Sequence, residues 1–177
     1  AEILLGKVNP SAKLPETFPV RYTDTVTYKN GEFGKTDVVE YKEGVFVGYR
    51  YYEKEQVKPA FAFGYGLSYT SFDIKDLQVQ AVGNADSDLK DTVVTVTATV
   101  TNTGDMAGAE VVQCYVADSE CSVARPVKEL RGYAKVFLNP GVTKTVTIDL
   151  PAQAFAFYDV EKKDFTVWLF YIVKAMV

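Results

Sequence analysis

From Phe72 onward the chain alternates apolar and polar residues in short runs separated by turn residues, which predicts half-buried strands. The clearest run is Thr92 to Thr101. There Val94, Val96, Ala98 and Val100 share one face, and Thr95, Thr97, Thr99 and Thr101 share the other. Asn102-Thr103-Gly104-Asp105 closes it as a turn. Val112, Cys114 and Val116 predict the inner face of a second strand, with Val111, Gln113 and Tyr115 outside. A third runs from Tyr133 to Leu138 and stops at Asn139-Pro140-Gly141, where proline and glycine suit successive turn positions. In a fourth, Val146, Ile148 and Leu150 alternate with Thr145, Thr147 and Asp149. Phe72 to Val82, Phe155 to Tyr158 and Phe165 to Tyr171 bring the total to about seven strands in about 100 residues. That is the pattern of an immunoglobulin-like antiparallel sandwich. No internal repeat and no low-complexity tract interrupts it.

The first seventy residues read differently. Ala1 to Lys7 is a run of good helix formers ended at Pro10, too short to stand alone, and it predicts the last turns of a helix. Ser11 to Pro19 has prolines spaced among apolar residues, which predicts extended chain without a ladder of its own. Lys29-Asn30-Gly31-Glu32 predicts a hairpin or surface excursion, because Asn-Gly favours a tight turn. Glu43 to Tyr52, rich in β-formers and aromatics, predicts a strand. Pro59 to Thr70 shows neither helical nor alternating period and predicts an irregular connector pinned by aromatic side chains. The domain boundary is expected near Ser71.

Composition narrows the chemistry. The 177 residues carry 19 Lys and Arg against 23 Asp and Glu, with no basic run of the kind a nucleic-acid binder presents. There is no histidine, which excludes Ser-His-Asp and Cys-His catalysis, histidine metal sites and histidine pH switching. Two cysteines, Cys114 and Cys121, make neither a disulfide framework nor a four-ligand zinc site. The longest apolar run, Phe165 to Val173, falls far short of the roughly twenty residues of a membrane helix, so a soluble protein is expected. The chain opens on Ala1-Glu2-Ile3-Leu4-Leu5 with no start methionine, basic n-region or cleavage site. It shows no secretory signal, which favours the cytoplasm, although the native start is expected to lie upstream.

Particular residues carry the reading further. Gly6-Lys7-Val8-Asn9-Pro10-Ser11-Ala12-Lys13-Leu14-Pro15-Glu16-Thr17-Phe18-Pro19 resembles a signature of family 3 glycoside hydrolases. Tyr41 to Tyr52 and Phe63 to Thr70 resemble the next two signatures of that family, in the same order. Val111-Val112-Gln113, followed by Ser122 to Tyr133, is similar to the family's fibronectin type III-like domain. Ala12 stands where the family usually has glycine, and Val142 where it often has glutamate. Thr166 to Val177 departs most, and its apolar character, interrupted at Lys174, fits either a truncated or altered reading frame or a strand buried on both faces.

The resemblance implies a mainly β chain: an immunoglobulin/fibronectin type III-like antiparallel β-sandwich, preceded by a remnant of an α/β-sandwich domain and an aromatic-rich connector. The expected division is residues 1–20 for the end of the α/β-sandwich domain, 21–70 for a connector with hairpin and strand, and 71–177 for the sandwich. It also implies a parent enzyme, a retaining exo-acting β-glycosidase resembling β-glucosidases, which hydrolyses O-glycosyl bonds between two carboxylates. The nucleophilic Asp and the acid/base Glu of the family lie upstream of the Asn9-Pro10-Ser11 signature and map onto no residue here. The chain is therefore expected to hold no catalytic, cofactor-binding or metal residue, to need no cofactor and to be inactive alone. Its expected partners are the N-terminal catalytic domains of the same protein, with a β-linked oligosaccharide or glycoside as the parent's substrate and neither nucleic acid nor membrane.

Other readings of single features stand beside this one. The neighbouring carboxylates Glu53/Glu55, Asp86/Asp88, Asp118/Glu120 and Glu161/Asp164 fall in polar stretches, where solvated turns are expected rather than a catalytic pair. Gly64-Tyr65-Gly66 lacks the third glycine and following helix of a phosphate loop. Cys114 is expected to be a buried inert thiol, and its pairing with Cys121 would turn it out of the core. Arg125-Pro126 and Lys128-Glu129 are read as an interdomain contact or surface charge ahead of a binding loop. Aromatics form 14% of the chain, which keeps a carbohydrate-binding module as the alternative to packing at a domain junction.

Overall fold

The computed structural model describes residues 1–31, 34, 37–82, 93–118, 121–167 and 172–176. The alternating segments form eight strands: β1 (Phe72–Val82), β2 (Val93–Asn102), β3 (Gly108–Ala117), β4 (Glu129–Leu138), β5 (Thr143–Pro151), β6 (Ala156–Asp159), β7 (Asp164–Val167) and β8 (Ile172–Met176). One antiparallel sheet has the order β1-β2-β5 and the other the order β4-β3-β8, with β6 and β7 as a separate hairpin. This is the expected antiparallel sandwich.

Period-two patterning sets the register. Val96, Ala98 and Val100 of β2 and Val146, Ile148 and Leu150 of β5 face Val112, Cys114 and Val116 of β3 and Val136 and Leu138 of β4 in one core. A slip of one residue in β2 would exchange Val96, Ala98 and Val100 for threonines, so the core itself holds β2 against β5 with Val96 opposite Ile148. Between β4 and β5, Pro140 and Gly141 occupy the central turn positions. Gly141 takes φ +73°, and the Val142 N–H donates to the Asn139 carbonyl at 3.1 Å.

Several expectations need correction. Ala1 to Lys7 is not regular helix. It is an exposed set of turns in which the Leu5 N–H reaches the Ala1 carbonyl at 3.1 Å. The Asn30-Gly31 turn does not make a hairpin. It ends a short helix, α1 (Val26–Asn30), capped at its start by the Thr25 hydroxyl and at its end by Gly31 at φ +73°. The segment from Glu43 to Tyr52 is not a strand: after turns around Gly44, residues Tyr49–Lys54 form helix α2. Its β-forming aromatics are buried on a helix because tertiary contacts outweigh propensity. Phe155 closes a 3₁₀ turn (Ala152–Phe155), and strand β6 starts one residue later.

The described part of the apolar end divides into β7 and β8, and β8 pairs antiparallel with β3 from Ala117↔Ile172 to Gln113↔Met176. Residues 168–171 and 177 lie outside the described residues, as do Thr92, Asp86, Asp88 and Glu120. No helix among the described residues is long and apolar enough to cross a membrane.

Candidate docking site on the outer face of β3

Gln113 and Tyr115 are placed by the alternating pattern on the solvent side of β3, yet they are only 6% and 3% exposed. The first seventy residues cover them. Two of the segments singled out in the sequence pair with each other and lie on this face together. The Leu14 N–H donates to the Tyr65 carbonyl at 2.7 Å, and the Gly64 N–H donates to the Leu14 carbonyl at 2.9 Å. Farther along, the Phe18 N–H donates to the Phe61 carbonyl at 2.8 Å and the Ala60 N–H donates to the Phe18 carbonyl at 2.9 Å.

Buried Asn9 ties these segments together. Its Oδ1 accepts from the Tyr69 N–H at 2.7 Å and from the Ser68 hydroxyl at 3.1 Å, while Nδ2 donates to the Pro10 carbonyl at 3.0 Å. A side chain on Gly108, at the start of β3, would collide with the Asn9 amide, so glycine is required there. Next to it the Ala109 N–H donates to Ser11 Oγ at 3.1 Å, and Lys13 Nζ meets Glu110 Oε1 at 2.8 Å.

Gly64 makes the second close approach. It sits at φ +78°, and a Cβ there would run into the Gln113 amide, which donates to the Gly64 carbonyl at 3.1 Å. The Gln113 Oε1 accepts from the Tyr115 hydroxyl at 2.6 Å, so both polar groups on this buried face are paired. Burial pushes the Tyr115 phenol up to about 12. A third anchor is Asn102, fully buried at the end of β2. It accepts from the Thr70 hydroxyl at 2.7 Å and donates to the Met106 and Leu138 carbonyls at 2.8 and 3.1 Å.

Helix α2 completes the contact. Tyr49 stacks on Phe63 with ring centroids 4.7 Å apart and meets Tyr115 edge-on at 6.1 Å, and its hydroxyl accepts from the Leu130 N–H at 2.8 Å. Arg50 reaches Glu129 Oε1 at 3.1 Å, while Arg125 and Arg131 reach Oε2 at 2.7 and 3.0 Å. Burial alone would raise the Glu129 carboxyl, but the hydrogen bond from Arg125 and the charges of Arg131, Arg50 and Arg125 outweigh it and hold the group below its ordinary value. Lys128 pairs with Glu53 of α2 at 2.7 Å. The Arg125 to Glu129 stretch is thus a contact between the first part of the chain and the sandwich.

The remaining candidates separate. Glu53 is bound to Lys128, while Glu55 caps the end of α2. Asp118 lies 3.6 Å from Arg125. Glu161, in the turn of the β6–β7 hairpin, and Asp164, the first residue of β7, are both exposed. Cys114 and Cys121 are both free thiols, and burial raises the Cys114 thiol to about 11. Among the described residues no three His, Cys, Asp or Glu side chains converge as metal ligands would. Asn9 falls within the Gly6–Pro19 segment and Asn102 within the turn that the sequence predicts, and neither position announces its role. A strand-ending asparagine has no sequence signal that separates a buried amide from a turn residue.

The opposite side of the first part is bare. Leu4 is 88% exposed and Tyr41 82%. Phe18, Phe61, Tyr65 and Leu67 line an open apolar groove of about 370 Å³ with Leu14. Of the connector aromatics, Tyr51 and Tyr52 are buried within the chain, whereas Phe61 and Tyr65 stand out from it.

A fibronectin type III-like sandwich whose one outer face carries a docked aromatic segment defines the class. Solved proteins that share this construction include β-glucosidases. Residues 1–69 match the family model described as the glycosyl hydrolase family 3 C-terminal domain, and residues 110–169 match the fibronectin type III-like domain. The thermostable β-glucosidase B of Acetivibrio thermocellus is 50% identical over 167 residues, which are 94% of this chain and 22% of that protein. The probable β-glucosidase I of Aspergillus clavatus is 50% identical over 95% of this chain and 19% of its own length. Among solved structures, the Kluyveromyces marxianus β-glucosidase has a TM-score of 0.85 at 40% identity, covering 98% of this chain and 20% of that one. The chain belongs to glycoside hydrolase family 3, carrying that family's C-terminal domain and fibronectin type III-like domain. It spans about a fifth of the length of the curated relatives it matches.

Proposed function

We propose that this chain is the C-terminal part of a retaining, exo-acting, β-glucosidase-like glycosidase and serves there as a structural unit that braces the catalytic domains. It supplies no catalytic residue, takes no cofactor and is inactive alone. The catalytic Asp and Glu belong to the rest of the protein, and the substrate of the whole is a β-linked glucoside or oligosaccharide. One observation carries this reading: the first part is fastened to the sandwich on one side and bare on the other. Its inner side is held by Asn9, Gly64, Tyr49 and Arg50. Its outer side shows Leu4, Leu5, Phe18, Phe61 and Leu67 to solvent. Adjoining apolar side chains of this kind mark a surface that is covered in the assembled protein. The carbohydrate-binding alternative needs a flat aromatic platform, and the exposed pair Tyr158 and Phe165 instead meets edge-on at 76°.

The chain can be mixed with the part of the Acetivibrio thermocellus relative that precedes the matched region, and turnover of an aryl β-glucoside followed. Neither piece alone should turn over substrate, and the mixture should. Turnover by this chain alone, lost on changing one of its carboxylates, would contradict the reading, and retention on insoluble glucan would favour the carbohydrate-binding alternative.

A further inference from the structure

One motif of the first part has no task in the joint. Asn30-Gly31 is the only asparagine-glycine pair in the chain, and it ends α1. Glycine in that place leaves the backbone nitrogen without a side chain to shield it from the neighbouring amide. The other asparagines of the described residues differ. Asn9 and Asn139 precede proline, which has no N–H to lose. Asn102 is fully buried, and its amide donates to the Met106 and Leu138 carbonyls. Asn30 is half-buried, and its amide donates to Glu43 Oε2 at 3.5 Å, a long contact. What restrains it is the end of the helix. The Gly31 N–H donates to the Thr27 carbonyl at 3.2 Å and to the Tyr28 carbonyl at 3.1 Å, so its nitrogen is engaged with the preceding turn. That turn is weakly held. Helix α1 has five residues, none of them buried, and it starts from Thr25 Oγ1, which accepts from the Tyr28 N–H at 3.3 Å. Helices this short are marginal in water.

We propose that Asn30 is a modification site, converted spontaneously to aspartate and isoaspartate when the last turn of α1 opens. The Gly31 nitrogen, on losing its proton, bonds to the carbonyl carbon of the Asn30 side chain. The bond from that carbon to the side-chain nitrogen breaks, and the nitrogen leaves with the proton as ammonia. Water then opens the cyclic imide at either of its carbonyls. Both products put a carboxylate beside Glu43 where an amide donor stood, and isoaspartate adds a carbon to the main chain at the helix cap. Helix α1 is thereby weakened, whereas the joint at Asn9, Gly64 and Tyr49 is untouched.

The whole chain and a peptide of residues 25–36, incubated side by side at mildly alkaline pH and body temperature, give the test. Peptide mapping by mass spectrometry and isoaspartyl methyltransferase labelling are the readouts. The chain should be modified at Asn30 within about tenfold of the peptide's rate, because opening a frayed end costs little. Thr25→Ala, which removes the cap, should raise the rate up to about fivefold. Asn30→Gln should lose the label. In the modified chain the amides of Lys29 and Gly31, which donate within α1, should exchange faster while β2 is unchanged. If the peptide is converted while Asn30 stays intact, or if the label falls elsewhere, the site is overturned. An equal rate with and without Thr25→Ala would overturn control by α1.

Discussion

The two sheets of the sandwich share one core and differ in what lies on their outer faces. On β1-β2-β5 the outer face is a row of threonines that meets water. Thr95 donates to Asp149 at 2.7 Å, Thr101 and Thr143 share a hydrogen bond at 2.8 Å, and Thr99 donates to Asp76 at 2.8 Å. On β3 of the other sheet the outer face is Gln113 and Tyr115, with Asn9, Gly64 and Tyr49 packed against it. The same period of two produces a wet face in one sheet and an internal joint in the other. What distinguishes them is long-range: residues 9–70 return to β3, and nothing among the described residues packs on the threonines in the same way.

The largest test of that contrast is in the shared core. Val96 is 2% exposed between the sheets, so Val96→Asp must bury a carboxylate or break the packing. A loss of about 4 kcal/mol or more is expected in urea melts, a large part of the roughly 5–15 kcal/mol that holds a domain together.

The next effect lies in the joint. Glu129→Gln removes the nearest carboxylate from Arg125, whose side chain is 8% exposed, and leaves Asp118 at 3.6 Å. Breaking a fully buried pair costs about 3–5 kcal/mol, and solvent at Arg50 and Arg131 lowers the expectation to about 2–3 kcal/mol near neutral pH. The pH dependence has a definite sign. Because the folded carboxyl is held below its ordinary value, its stabilisation is complete above about pH 4.3 and is lost as pH falls through the folded value. The difference between wild type and Glu129→Gln should therefore shrink in acid. A difference that is constant with pH would mean that the charge is not what holds the joint.

Gly64→Ala should cost about 1–2 kcal/mol, from the φ of +78° and the crowding against Gln113. Smallest of all is Thr97→Asp on the wet face, expected below about 1 kcal/mol. If it unfolds the sandwich while Val96→Asp does not, the faces of β2 are reversed.

The same contrast explains what could be read from the amino acids. β2 and β5 alternate cleanly because one face of each meets water, so Val96 and Thr97 announce their sides. β3 does not, because its second face is buried by partners at distant positions. A glutamine and a tyrosine look like surface residues until Gly64 and Tyr49 arrive. Tyr49 to Tyr52 look like strand in the sequence for a related reason: aromatic content records that a segment is buried, not the period with which it is buried. Asn9 and Gly64 lie inside segments that resemble family signatures. Their task as a joint is not visible there, since it depends on Gly108 and Gln113 roughly fifty to a hundred residues later.

The central claim is that the outer face of β3 is an internal joint, and native-state hydrogen exchange addresses it directly. The amides of Gly64, Tyr69, Ala109 and Leu130 each donate across or beside that joint. They should exchange slowly, within about tenfold of the central amides of β2, and Asn9→Ala should accelerate Tyr69 while leaving β2 unchanged. Rapid exchange at Gly64, Tyr69 and Leu130 with β2 fully protected would show that the first part floats free of the sandwich, and would contradict the account.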